Sequence, residues 1–439
     1  MSDINGLPPE ILELILKSWH RDMMKREGEV DMGLAAVSLT CKRWKDLAFS
    51  TPELWSCIEI INDHSIGILS YSKVSNWLGR SKNKPLSLVI RGGCLRMHQS
   101  WLAAALLRLL VVHSHWWCCI SLCFSLYFNP IKLPDNFLAP ILESVTIEAP
   151  RCRENHVFYE RLLRGAPVLQ KFAHKGCDWA YFSPSGLHLE PLRCFDLGRS
   201  LSASNALMIL EKGVNLQTCS LRIAGSDGPS AKPVTSSVGS LSLLVEGVDG
   251  PKEFFRFLDA QSPINLSITF RERRYDDHDT PCYILSETHS RLSTLTLTNV
   301  KIPEDKFLNC LTILSKLTTF RILKPLDVLS KRKPIENQIN NNIKNLLTFQ
   351  SEGTPRPLCP LLETITLELC VGADDGLFFE MVRSRHCSPD VLHKSGVALL
   401  KQLDAVLSLS SHSLDKEGLE KICGDRLLGS LKLLWSLVR

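Results

Sequence analysis

The chain has 439 residues, 44% of them hydrophobic, with 51 basic and 46 acidic side chains and a net charge of +5. That is enough apolar matter for the cores of two or three ordinary domains or one elongated repeat array, and so even a charge balance excludes a dedicated nucleic-acid binder. Sixteen cysteines lie scattered along the length with no spacing that staples a small domain and no signal peptide before Met1–Asn5, so they are expected reduced, in cytosol or nucleus.

The first element is announced by "LPPEILELIL", Leu7 to Leu16. Two prolines cannot continue a helix but can start one, because proline lacks the N–H that a first turn leaves unpaired and its φ is already helical. Ile11, Leu12, Leu14, Ile15, Leu16 and Trp19 then cover one side of a helix and part of the next. A second helix is read over "GLAAVSLTCKRWKDLA", Gly33 to Ala48, where Leu34, Val37, Cys41, Trp44 and Leu47 recur three or four apart beside Lys42, Arg43, Lys45 and Asp46. "TPELWSCIEI", Thr51 to Ile60, follows. So short a segment has too little interior to absorb all of these side chains, and its spare face calls for a partner.

Leu109 to Phe128, "LLVVHSHWWCCISLCFSLYF", carries no Lys, Arg, Asp or Glu and is long enough to cross a bilayer. It also divides naturally into a helical run from Trp101 to Val112, a polar "HSH" turn and an alternating β pattern at Ile120, Leu122 and Phe124, which is the reading preferred to a membrane span. His113, His115, Cys118, Cys119 and Cys123 invite thoughts of a metal, but neighbouring cysteines suit a packed strand better than a tetrahedral ligand pair, and no metal or cofactor is expected.

From there the chain repeats itself. "LESVTIEA" from Leu142, "LQKFAHKG" from Leu169, "LRCFDLGR" from Leu192, "LQTCSLRI" from Leu216, "VGSLSLLV" from Val238, "LSTLTLTN" from Leu292, "LTTFRILK" from Leu317 and "LETITLEL" from Leu362 share one apolar spacing, with a weaker copy at Pro263. Looser copies begin at Trp55, Asn83 and Trp117. From Leu142 to Leu317 the steps fall between 22 and 29 residues, the period of leucine-rich repeats. Helical stretches lie between them at Asn155–Gly165, Ser204–Gly213, Pro251–Ala260 and Pro303–Leu314. Strand and helix alternating at this length predict an α/β repeat, an irregular leucine-rich-repeat solenoid with parallel strands on its concave face. An ordinary α/β domain is the alternative, but its strands would read as continuous apolar runs, and these alternate.

The slot eight residues past each opening apolar holds Pro150, Cys177, Ser200, Ala224, Glu246, Val300, Pro325 and Cys370; only the two cysteines fit the Asn/Cys slot of regular repeats, so their ladder is largely missing. Ser330 to Pro357 reads as an inserted mobile loop, basic, then Asn-rich, then Gly/Pro-rich; its "KRK" is read as solvated charge rather than a nuclear address. After Cys370 the pattern decays and the tail reads as helical capping material. The expected domains are thus 1–55, a small helical module; 56–328, the repeats; 329–360, the insertion; and 361–439, the last repeat and cap.

Residues 5 to 55 resemble an F-box, on "LPPEIL", the run Val37 to Trp44 and the closing "PELW" at Pro52–Trp55, although the linker His20 to Met32 is longer and more charged than the compact family pattern. F-box followed by leucine-rich repeats is a known domain order, and this version is similar to the large F-box sets of mushroom-forming fungi. The resemblance implies a substrate-recognition adaptor of an SCF-type cullin–RING ubiquitin ligase. Its F-box would bind a Skp-type adaptor, here through Leu7, Pro8, Ile11, Leu14, Ile15, Val37, Cys41, Trp44 and Trp55, while the repeats hold an unknown target protein. A scaffold that never delivers to a ligase, or a small-molecule-gated receptor, would share these residues. No P-loop, H-E-x-x-H, G-x-S-x-G or paired C-x-x-C motif is present, and no enzyme is expected. On the strands, the positions between repeat apolars are mostly Ser and Thr; Arg222, Arg271 and Arg321 stand out as candidate contacts for an acidic or phosphorylated target segment, with the rim loop Arg271–Asp279 beside them.

Overall fold

The computed structural model describes residues 6–23, 37, 39–62, 69–92, 105, 108–124, 133–148, 156–175, 184, 187–225, 232–247, 249–259, 265–271, 292–299, 304–323, 344–345, 347–349, 358–372, 376–385, 392, 395–408, 418–419 and 430–436. They fall into two compact units, Met1–Arg199 and Ser200–Arg439.

The first unit opens with helices α1 (Pro9–Met23) and α2 (Lys42–Ser50) and a 3-10 turn, Pro52–Trp55. It continues through β1 (Cys57–Asn62), α3 (Leu69–Ser81), β2 (Leu86–Gly92), β3 (Trp117–Phe124), β4 (Ser144–Glu148), α4 (His156–Arg164), β5 (Lys171–Lys175) and β6 (Cys194–Ser202). Each of these strands pairs in parallel with the next in sequence, the arrangement that strand-to-strand crossovers of this length impose. Burial alternates along β4, where Val145 and Ile147 are fully enclosed while Ser144, Thr146 and Glu148 remain partly open, whereas β5 buries Phe172, Ala173 and His174 in succession.

The second unit holds α5 (Ala203–Lys212), β7 (Thr218–Gly225), β8 (Val234–Thr235), β9 (Ser240–Val245), α6 (Asp249–Phe257), β10 (Leu258–Asp259), β11 (Asn265–Phe270), β12 (Thr294–Thr298), α7 (Glu304–Ile313), β13 (Thr319–Leu323), β14 (Thr364–Gly372), α8 (Leu377–Ser384), β15 (Gln402–Ser408) and β16 (Ser430–Ser436). Its parallel order is β7-β9-β11-β12-β13-β14-β15-β16, with β8 and β10 forming a separate small pair.

Without an asparagine ladder, the repeats are tied by backbone. The residue just before a strand offers its carbonyl to two N–H groups of the following repeat: Glu143 to Gln170 and Lys171, Ser293 to Thr318 and Thr319, Glu363 to Lys401 and Gln402, all at 2.8–3.1 Å. Such bonds satisfy turn groups that would otherwise be buried unpaired.

One expectation holds and two change. The apolar stretch 109–128 divides as the alternation indicated, into a helical end at 108–112, a 3-10 turn Ser114–Trp116 and strand β3; no described helix is long and apolar enough to cross a membrane. The tail is not only a helical cap, because β15 and β16 extend the sheet beyond β14. The insertion is not loose throughout: Lys344 and Leu347 are 2% and 4% exposed, and the Phe349 N–H donates to Ser384 Oγ at 3.0 Å.

Candidate functional site

Helix α1 starts on its prolines as the sequence requires, with the Ile11 and Leu12 N–H groups donating to the Pro8 carbonyl at 3.1 and 3.2 Å. Leu12, Leu16 and His20, four apart, form its buried stripe, packed toward α2 and the 3-10 turn. Burial in this stripe holds the His20 imidazole below its ordinary pKa, so it is carried neutral. On the rest of the helix surface Ile11 is 43%, Leu14 63% and Ile15 38% exposed. Pro8 and Cys41 are also exposed, and Leu7 and Trp44 half-buried. The Arg43 guanidinium donates to the Leu7 carbonyl, which fastens the start of α1 to α2.

Two of the residues expected on this face lie elsewhere. Val37 and Trp55 are 7% and 3% exposed and belong to the chain's own interior. The Trp55 indole N–H donates to the Ala48 carbonyl at 2.7 Å, its ring meets Phe49 edge-on at 5.6 Å and Trp77 of α3 at 6.4 Å, and the Arg80 guanidinium lies over both Phe49 and Trp55, at 3.9 and 4.5 Å. An indole with its N–H satisfied and both flanks covered has nothing left to offer a partner. Leu39, 84% exposed, was not singled out in the sequence; its sign there is an apolar residue lying off the stripe of Val37, Cys41 and Trp44. Glu53 ties the turn to its neighbours, with Lys17 at 3.5 Å and Lys84 at 2.8 Å, and the latter bond holds its carboxyl below the usual range.

On the second unit the three arginines do not form a row. Arg222 makes a forked pair with Glu246, Nε to Oε2 at 2.8 Å and Nη2 to Oε1 at 2.6 Å, and Arg271 Nη1 reaches the same Oε1 at 2.8 Å. Ser200 Oγ donates to Oε2 at 2.9 Å. Glu246, merely the residue in the asparagine slot when read in sequence, is thus the shared anion that two arginines satisfy. Arg321 stands apart. Arg222 is level with Leu244 and Thr269, whereas Arg321 is level with Thr296 and Thr366, in a row that runs Ser220, Ser242, Ser267, Thr296, Arg321, Thr366 and Asp404. Three strands separate β7 from β13 in the sheet order, about 19 Å at 4.8 Å per step. The rim loop beyond Arg271 lies outside the described residues.

Replacing Glu246 by alanine would leave two cations facing each other with Arg222 only 17% exposed. The expected loss is about 1–2 kcal/mol of stability, reduced from the buried value because Arg271 is half in water; a chemical-denaturation midpoint unchanged in Glu246→Ala would show the fork to be inert.

Residues 4–60 match the family model described as F-box-like. The N-terminal segment is an F-box-like domain. The match ends inside β1. No curated protein matches the chain. Among solved structures, the leucine-rich repeat-containing protein LegL7 from Legionella pneumophila aligns over 84% of this chain and 90% of its own, at 12% identity and a TM-score of 0.29, a likeness too distant to bear on function.

Proposed function

We propose that this chain is a substrate-recognition adaptor of an SCF-type cullin–RING ubiquitin ligase, acting in cytosol or nucleus. The F-box-like domain docks a Skp-type adaptor through Pro8, Ile11, Leu14 and Ile15, flanked by Leu7, Leu39, Cys41 and Trp44, and the half-exposed strand face of the repeats holds a target protein. One observation carries the reading: α1 has its own core contacts met by Leu12 and Leu16, yet keeps Ile11, Leu14 and Ile15 in water. Burying such side chains against a partner is worth about 1.5–3 kcal/mol each, and an unpartnered cluster of them is a liability for a lone chain.

The work of such an adaptor is positional. Holding target and ligase on one framework turns their encounter into an intramolecular one at high effective concentration, and no reacting group is needed on this chain.

An Ile11→Ala, Leu14→Ala double variant should weaken capture of a recombinant Skp-type adaptor about tenfold to a hundredfold. Its circular dichroism should be unchanged, since neither side chain supports the core. Undiminished capture would overturn the assignment. Adaptor binding without co-purification of a cullin would favour a scaffold that does not deliver to a ligase.

A further inference from the structure

The parallel ladder between β2 and β3 slips at its start. Leu86 is level with Trp117, but the next residue, Ser87, is level with Cys119, so Cys118 is an extra residue on β3. A bulge of this kind breaks the in-out alternation of a strand and re-aims side chains. Trp117 stays in the core at 4% exposed, and the two cysteines that follow it are both half-exposed, with their sulfurs 3.9 Å apart. The backbone around them is held, the Glu143 N–H donating to the Cys118 carbonyl at 2.8 Å.

We propose that Cys118 and Cys119 form a dithiol site for trivalent arsenicals and related soft metalloid electrophiles that take two sulfurs in a bent arrangement. The sulfurs already stand near where one bound atom needs them: with bonds to sulfur of about 2.3 Å, a pyramidal trivalent centre draws its two sulfurs to about 3.4 Å apart, a small closure from the observed 3.9 Å, whereas a linear two-coordinate ion spreads them to about 4.6 Å. A structural zinc site would need further ligands, and no group of three or more His, Cys, Asp or Glu among the described residues is placed to hold a metal. Cys123 is engaged elsewhere, its thiol donating to Glu148 Oε2 at 3.6 Å.

Protonation favours the same class. Burial first, then the neighbouring Cys119 and Glu143, push the Cys118 thiol up to about 11, so it stays protonated at neutral pH and is a poor target for reagents that require thiolate. An arsenical needs none. In R–As=O plus two thiols, the two As–O bonding pairs are replaced by two As–S bonds and the oxygen leaves as water with both S–H protons. Arsenic remains trivalent and no sulfur is oxidised. The product is neutral, so the burial that disfavours a thiolate does not disfavour it.

The test uses the full-length reduced chain and phenylarsine oxide in excess glutathione, read by native mass spectrometry. Wild type should hold an adduct that a small dithiol removes. Cys118→Ser and Cys119→Ser should each weaken it by at least about a hundredfold, the advantage of a second thiol already at high effective concentration, and Cys194→Ser should not. Persistence of the adduct in both single variants would overturn the proposal, as would wild type binding no tighter than Cys118→Ser. Peptide mapping of the wild type gives a readout that needs no substitution: the phenylarsine mass should travel with the peptide that holds Cys118 and Cys119, and adducts confined to other cysteines would refute the site.

Discussion

Arg385→Leu is expected to destabilise the second unit by about 3 kcal/mol or more, a drop of roughly 6–12 °C in its melting temperature. Arg385 sits just after α8 and is fully enclosed. Its Nε donates to the Leu347 carbonyl at 2.8 Å, Nη1 to Cys359 at 3.1 Å and Nη2 to Leu358 at 2.7 Å. Leu347 lies inside the insertion and Leu358 and Cys359 at its C-terminal end, so one planar fork ties its second half together beside α8. Among the described residues no carboxylate pairs with it. Burial lowers the guanidinium to about 10, yet it remains charged at neutral pH. Leucine would relieve the desolvated charge, which offsets part of the loss, but it takes the donor from the buried Leu347 and half-buried Leu358 carbonyls at about 1–3 kcal/mol each, while the Cys359 carbonyl keeps the Leu362 N–H. Arg385→Lys should recover less than half, because an ammonium cannot match three carbonyls in one plane. Limited proteolysis should move to the 347–358 region in Arg385→Leu; an unchanged melt and cleavage pattern would rule the clamp out.

The second large effect is a dependence on acid. His174 on β5 is fully buried, edge-on to the Tyr159 ring at 5.0 Å and near the Arg199 cation. Burial first and then that cation depress its pKa from 6.5 to about 4. The folded chain therefore keeps a neutral imidazole while the unfolded chain takes up a proton below pH 6.5. Stability is full above 6.5, falls as pH drops from there, and the loss levels off near pH 4 at about 3 kcal/mol. His20 is depressed by burial as well and acts in the same direction, so the informative quantity is a difference. Between pH 7 and pH 5, urea unfolding of wild type should lose about 2 kcal/mol more than His174→Phe. Parallel losses in the two proteins would refute the assignment.

The strands were legible because their cause is local. "LESVTIEA" and its copies place an apolar residue at each inward position, and every copy described becomes a strand of the parallel sheet or the turn leading into it. The exposed part of α1 was legible for the same reason: too many apolar residues for one short helix to bury. What was hidden depends on residues far apart in sequence. Val37 and Trp55 look like surface anchors until Trp77 and Arg80 arrive from α3 to cover the indole. Arg222 looks free until the next repeat brings Glu246, just past β9, beside it. The tail strand Gln402–Ser408 was missed because the step that precedes it is irregular, although its own alternation, "QLDAVLS", is plain.

The setting of Trp55 bears on how this chain could be cut and rejoined. Its ring is walled by Phe49 from the F-box-like domain and by Trp77 and Arg80 from the first repeat's helix, while Glu53 is shared between Lys17 of α1 and Lys84 of the turn before β2. A chimera joined at residue 55 or 60 would split that ring stack, taking Trp77 and Arg80 from the indole and Lys84 from Glu53. The smallest portable N-terminal piece therefore includes β1, α3 and β2, and a graft onto foreign repeats belongs after Gly92.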